Sequence, residues 1–199
     1  MRGPSAWSHI VAWNTAKDTF EHGAWFRGRI YEDRCAVSPD GELFLYFALK
    51  GSLWNTDYRG TWTAVSRLPW LHALALWPAG DTWGGGGWFA DDRSVVLQTG
   101  TTEAHANHSA HGLSVSLGRR LHSTPSPTVP DAQWTGCDHS GATVFTREGK
   151  LFRSNGNHPS ELADFNGLTP SPRPSPAWAQ TPLNARKRSR RKRRKGRWA

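Results

Sequence analysis

The chain has 199 residues, enough for one domain with a sizeable hydrophobic core. No apolar run approaches the roughly 18 residues that a membrane-spanning helix needs, so we expect no membrane span and a cytoplasmic location. The net charge of +9 is uneven, since residues 186–197 hold ten of the 25 basic residues and leave 15 basic against 16 acidic residues elsewhere, a net of −1. A nearly neutral body gives no electrostatic reason to expect phosphate binding.

Short runs of β-branched and aromatic residues, separated by Gly, Pro and Asp, recur along the chain and predict an all-β fold. A first, weaker unit covers 10–13 and 24–31. A hairpin follows at 30–47, with an S-P-D-G turn at 38–41 between two apolar segments. Proline fixes φ at the second turn position and glycine allows a positive φ at the fourth. Another strand is predicted at 61–67.

The order of strand, turn and strand occurs twice more along the chain. The 39 positions from Pro39 to Pro78 match the length of a four-stranded propeller blade. The stretch 99–130 indicates a loop with one strand at 113–117. The remaining predicted elements are a second unit with strands around 74–77, 86–89 and 95–97 and a turn at 78–81, and a third unit with strands at 133–137, 142–146 and 150–153 and a turn at 138–141.

Three segments carry a resemblance to known proteins: CAVSPDGELFLYFALKG (35–51), TWTAVSRLPWLHALALWP (61–78) and GDTWGGGGWF (80–89). They resemble a family of uncharacterised bacterial proteins with TolB-type or WD-repeat-like propeller blades, which share the S-P-D-G turn between two strands. The resemblance implies antiparallel blade-like sheets in a small or incomplete β-propeller. It transfers no catalytic or binding residue to this chain, because propellers host many unrelated functions.

The chain divides into three parts by composition. We expect an all-β body of three to four blade-like units at 1–168, a Pro-rich extended segment at 169–185 and a disordered polybasic tail at 186–199. The tail would attract nucleic acid without sequence specificity. Its basic residues are Arg186, Lys187, Arg188, Arg190, Arg191, Lys192, Arg193, Arg194, Lys195 and Arg197.

Twelve tryptophans stand against a single methionine. Indole rings pack well between sheets, and exposed indoles also stack on partner molecules, so both interpretations stay open. The candidate ligand-binding residues are Trp54, Trp62, Trp70, Trp83 and Trp88.

Three other patterns have a purely structural interpretation as well as a functional one. Histidines at 105, 108 and 111 are residues of the type that bind a divalent metal, but their Ala, Ser, Asn and Gly neighbours favour a mobile surface loop over a metal site. The four glycines at 84–87 lack the lysine and helix of a phosphate-binding loop and indicate a close backbone approach. Cys35 and Cys137 are expected to be two buried thiols. No cofactor motif and no nucleophile with a partner base is present.

These patterns favour a non-enzymatic interaction module that binds an unknown protein or small ligand through its loops and exposed tryptophans. A nucleic-acid-associated protein that uses the basic tail is the first alternative. An enzyme acting on a small molecule or glycan, with His105, His108 and His111 as its only concrete support, is the second. The all-β interpretation requires that Phe44, Leu76 and Val144 lie in sheets.

Overall fold

The computed structural model of the protein describes residues 6–98, 100–119, 129–155 and 158–184. The predicted polybasic tail at 186–199 lies outside these ranges. The described residues form one helical turn, α1 (Ala177–Gln180), two short 3-10 segments and a set of β-strands. The strands are β1 (Trp7–Asn14), β2 (Thr19–Arg27), β3 (Arg29–Ile30), β4 (Ala36–Val37), β5 (Leu43–Leu49), β6 (Thr61–Arg67), β7 (Ala75–Pro78), β8 (Gly87–Phe89), β9 (Ser94–Leu97), β10 (Ser114–Leu117), β11 (Trp134–Cys137), β12 (Thr143–Arg147), β13 (Lys150–Asn155) and β14 (His158–Asp164).

The strands form four sheets that follow one another along the chain. The first is the β1–β2 hairpin, and the second has the order β3-β5-β6-β7 with β4 also paired to β5. The third has the order β10-β9-β8 and the fourth β11-β12-β13-β14. All pairings are antiparallel except that of β9 with β10, which is parallel. The fold is therefore all-β with mainly antiparallel sheets, as predicted, and the pairings of the described residues do not close into a ring.

The second sheet forms the centre of the hydrophobic core. Residues 43–48 of β5 are all buried, because both faces of this strand are covered. Leu43 and Leu45 pack on one side with Val95 and Leu97 of the third sheet. The even-numbered residues of β5 pack on the opposite side, with Trp62 and Leu76. The predicted placement of Phe44, Leu76 and Val144 in sheets is confirmed.

The predicted turns at 38–41 and 138–141 are confirmed, and the two have related chemistry. Gly41 and Gly141 have φ values of 74° and 82°, which glycine adopts without steric cost. In the first turn the Ser38 hydroxyl donates to Asp40 at 2.5 Å. In the second turn the Ser140 hydroxyl donates to Asp138 at 2.6 Å. Each aspartate thus satisfies polar groups of its own turn.

Two elements near the end of the described chain were not predicted. Strand β14 pairs with β13 at the edge of the fourth sheet, where its Pro159 is tolerated because an edge strand leaves backbone donors unpaired. Its residues are mostly exposed, so they lack the apolar alternation by which a strand is recognised. The helical turn α1 begins directly after Pro176 within the segment that we expected to be extended.

The Pro-rich segment returns to the body through small side chains. Ala179 is fully buried beside Trp70 and Ala24, and Leu183 packs against the central core. Trp178, next to Ala179 in α1, is 51 % exposed. The small Ala179 side chain therefore anchors the segment in this cluster, and the neighbouring indole faces outward.

The prediction of two buried thiols is wrong for Cys137, and Cys35 is half-buried. The Cys35 thiol donates to the Tyr31 carbonyl at 3.2 Å, and burial raises its pKa to about 12. Cys137 is exposed, because it ends the edge strand β11. Neither forms a disulfide.

No helix in the described part of the chain has the length and apolar character of a membrane span.

Candidate functional site

An open groove of about 890 Å³ lies where the β1–β2 hairpin meets the end of β5. It is lined by residues 6–10, 27–30, 32 and 49–52. Pairing places them together, since Trp7 lies opposite Arg27 and Arg29 lies opposite Leu49 in neighbouring strands. Directly opposed residues of an antiparallel pair project to the same face, so both strand pairs contribute side chains to the groove.

Three cationic side chains line this basic groove: Arg27, Arg29 and Lys50. None of them forms an ion pair with another residue in the described ranges. The Arg29 guanidinium lies 4.4 Å from the centroid of the Tyr31 ring, a cation-π contact. Glu32 is the one acidic residue of the lining. The groove therefore has an excess of positive charge within a nearly neutral body.

His9 forms part of the groove wall, and its surroundings favour its neutral form. Its ring stacks on Trp25 at 4.1 Å between centroids. Its Nδ1 donates to the Ala24 carbonyl at 3.1 Å, which leaves Nε2 to accept from Nδ1 of His22 at 3.0 Å. Burial lowers the pKa of His9, and the nearby His22 lowers it further.

Lowering the pH from 7 to 5 is expected to destabilise the fold through His9. An unfolded histidine takes up a proton near pH 6.5, whereas folded His9 resists protonation because its pKa is lowered. The unfolded state therefore binds more protons in this window, and the free energy of unfolding falls as the pH falls. Urea titrations of wild type, His9→Asn and the exposed control His139→Asn measure this. We expect a weaker pH dependence in His9→Asn alone.

A second feature is the glycine loop, residues 81–87, which carries Trp83. The side chain of Trp83 is 94 % exposed, whereas large aromatic residues are usually mostly buried. The Asp81 carboxylate accepts from the backbone N–H groups of Trp83 at 2.9 Å and Gly84 at 3.2 Å. These bonds fix the backbone on both sides of the indole.

The loop is also anchored to the central sheet. One Arg34 guanidinium nitrogen donates to the carbonyls of Thr82 at 2.9 Å and Gly84 at 2.7 Å. Gly86 N–H donates to the Thr63 hydroxyl at 2.8 Å. Gly85 has a φ of 95° and lies directly on the Phe47 ring, where no Cβ has room. The predicted close backbone approach is confirmed, and Trp83 projects from a loop whose backbone is hydrogen-bonded to the rest of the body.

The other candidate tryptophans have different environments. Trp54 is 44 % exposed and its indole packs on Gly60, near the groove residue Gly51. Trp88 is half-buried in β8 against Gly118. Trp62 and Trp70 are buried in the core and are not available for stacking on a ligand. Their burial follows from tertiary packing, which the spacing of tryptophans does not reveal.

The histidine-rich segment is held against the central sheet. His105 N–H donates to the Leu76 carbonyl, and Leu76 N–H donates to the His108 carbonyl, so the segment extends the edge of β7. The Tyr58 ring stacks on His105, and its hydroxyl lies 3.2 Å from Nε2 of His108. His111 is exposed. The described residues contain no group of three or more His, Cys, Asp or Glu placed to hold a metal ion.

The cations of the groove are not among the residues predicted from the sequence to form a site. Arg27 and Arg29 are two positions apart, a spacing that places both on one face of an extended chain. That signal is weak, because isolated arginine pairs are common on exposed strands. Lys50 joins them only through the pairing of β3 with the end of β5, which no local pattern predicts.

Two surfaces thus carry unusual chemistry: the basic groove and the glycine loop that presents Trp83. The Tyr31 ring lies between them, with the Arg29 guanidinium at 4.4 Å and the Arg34 guanidinium at 5.1 Å from its centroid. Comparison of the chain with protein-family models, curated proteins and solved structures finds no match, so these two surfaces carry the functional argument.

Proposed function

We propose that the protein is a non-enzymatic interaction module that binds a partner protein through Trp83. The observation that carries the proposal is a 94 % exposed indole on a loop whose backbone is hydrogen-bonded on both sides of it. An aromatic side chain on a backbone that is fixed before binding loses less conformational entropy on binding than one on a mobile loop. Tryptophan is also the residue type most enriched among binding hot spots.

The polar groups around Trp83 favour an apolar pocket on the partner over a sugar. Asp81 is engaged by two backbone N–H groups, and one Arg34 nitrogen is engaged by two carbonyls. Sugar recognition needs polar groups beside the aromatic face to bind hydroxyls. The neighbours of Trp83 instead serve the loop itself, so burial of the indole is the main gain on binding.

A small or incomplete β-propeller, similar to TolB-type or WD-repeat-like blades, is the architecture that we propose for this module. Four sheets that follow one another along the chain support it. So do the related Asp-Ser turns of the second and fourth sheets, each contacted by an arginine from a later strand or turn. A propeller rim is formed by loops of the type that carries Trp83.

A peptide library displayed on phage tests the proposal. Peptides selected on the full chain should be apolar at one or more positions and should bind Trp83→Ser at least about 30-fold more weakly, as expected for a hot spot. Trp134→Ser is the matched control, because Trp134 is 51 % exposed on β11. Equal binding of the selected peptides to wild type and Trp83→Ser would refute the role of Trp83.

A further inference from the structure

We propose that the basic groove is a binding site for single-stranded nucleic acid, formed by the folded body and independent of Trp83. Arg27, Arg29 and Lys50 would contact the phosphates, and the aromatic side chains at its border would stack on bases. The inference goes beyond the proposed function, since it concerns a different surface and a different class of ligand.

The charges of the groove are available to an external anion. Arg27, Arg29 and Lys50 line one cavity with a single acid, Glu32, and none of the three forms an ion pair in the part of the chain that the structure describes. By contrast, Arg67, Arg93, Lys150 and Arg153 all form ion pairs. Arg27 and Arg29 are separated by at most about 7 Å along the chain, so they contact an extended ligand with repeating charges.

Aromatic side chains accompany the cations. Trp7 lines the groove and shares a face with Arg27, its partner across the β1–β2 pair. Trp54 follows the groove residues 49–52, and its Nε1 lies 4.0 Å from the position of a Cβ at Gly51. Its exposed fraction of 44 % leaves part of the ring free. A positive groove bordered by indoles is the arrangement that binds single strands through phosphates and stacked bases.

The aromatic border distinguishes single strands from other polyanions. A duplex keeps its bases stacked on one another, and an acidic peptide has no bases, so neither gains from Trp7 or Trp54. A membrane surface would need apolar side chains that project outward around the cations, whereas the lining residue Ile30 packs against the core. Single-stranded RNA or DNA satisfies both the charges and the indoles.

Binding of a single-stranded RNA of about 12 nucleotides to the full chain, followed over a range of salt concentrations, tests the inference. The groove variant is Arg27→Gln, Arg29→Gln and Lys50→Gln. The matched control is Lys17→Gln, Arg59→Gln and Arg119→Gln. It removes the same charge from three exposed positions outside the groove. Both variants keep the basic tail, so any contribution of the tail is common to them.

We expect the slope of log K against log salt to decrease in magnitude by about 2 in the groove variant, because each phosphate contact to a single strand contributes about 0.7. The control variant should change this slope by much less.

Trp54→Ala should weaken binding about 5- to 150-fold relative to Trp134→Ala, with little effect on the slope. Equal slopes for groove and control variants would overturn the inference. Equal groove-dependent binding of duplex RNA or polyglutamate would also overturn it.

Discussion

Replacing Phe47 by alanine is expected to lower the free energy of unfolding by about 3–5 kcal/mol. The Phe47 side chain is fully buried in β5. Its ring packs on Tyr31 at 5.2 Å between centroids, lies 5.3 Å from the Arg34 guanidinium and supports the backbone of Gly85. Removing the ring takes away its burial and leaves a cavity, since a sheet covered on both faces cannot collapse around it.

The same substitution should release the glycine loop. The Phe47 ring supplies the three atoms nearest to the Cβ position of Gly85, so the loop loses this support when the ring is removed. Hydrogen exchange of the Gly86 amide, which is bonded to Thr63 in wild type, should then speed up more than that of the amides in β6. Faster opening of the loop would weaken peptides that bind through Trp83 beyond the effect of lower stability.

Val37→Ala is the control for Phe47→Ala. Val37 lies on the paired strand β4 and is 48 % exposed, so its truncation should change the free energy of unfolding by less than about 0.5 kcal/mol. Urea denaturation at pH 7 measures both variants. A loss of less than about 1 kcal/mol in Phe47→Ala would contradict the placement of this ring in the core.

Local turn chemistry made much of the fold predictable from the sequence. The S-P-D-G segment at 38–41 and the D-H-S-G segment at 138–141 each combine an aspartate that accepts from its own backbone with a glycine of positive φ. Such turns join strands that are neighbours in sequence. The hairpins β4–β5 and β11–β12 therefore needed no knowledge of distant contacts, and both occur where they were expected.

The candidate sites depended on contacts that the sequence does not reveal. Trp62 and Trp83 are equally apolar as residues, yet one packs on Phe26 in the core and the other projects into solvent. The difference arises because Trp62 lies in a central strand, whereas Trp83 lies in a loop fixed by Arg34, 49 positions earlier in the chain. The basic groove depends likewise on strand pairs between separate segments. Contacts between distant segments of the chain therefore determine which candidate binding residues are exposed on the surface.

A partly buried charge network connects the first hairpin to the fourth sheet, and its removal is the second large effect that we expect. Arg153 of β13 donates to Asp138 at 2.6 Å and forms two bonds to Asp18, at 2.7 and 2.8 Å. The Asp138 side chain is 1 % exposed. Hydrogen bonds from Ser140, and then from Arg153, hold the pKa of this carboxyl well below its usual range.

Arg153→Met should lower the melting temperature by several degrees and loosen the β1–β2 hairpin. The substitution keeps most of the side-chain volume but leaves the Asp138 carboxylate buried without its cation, which is strongly unfavourable. Trypsin should then cleave faster after Lys17, in the turn beside Asp18. Lys150→Met is the control, since its ion pairs to Glu161 and Asp164 are partly exposed and such pairs contribute little.

A double variant separates the effect of charge from that of packing. If the loss in Arg153→Met comes from an unpaired carboxylate, adding Asp138→Asn should restore part of the stability, because a neutral amide costs less to bury. If the loss came from packing alone, Asp138→Asn would add its own cost, since Asp138 also accepts from the N–H groups of Ser140 and Ala142. Melting curves of the wild type, both single variants and the double variant give the coupling energy directly. We expect a coupling that favours the double variant over the sum of the single changes.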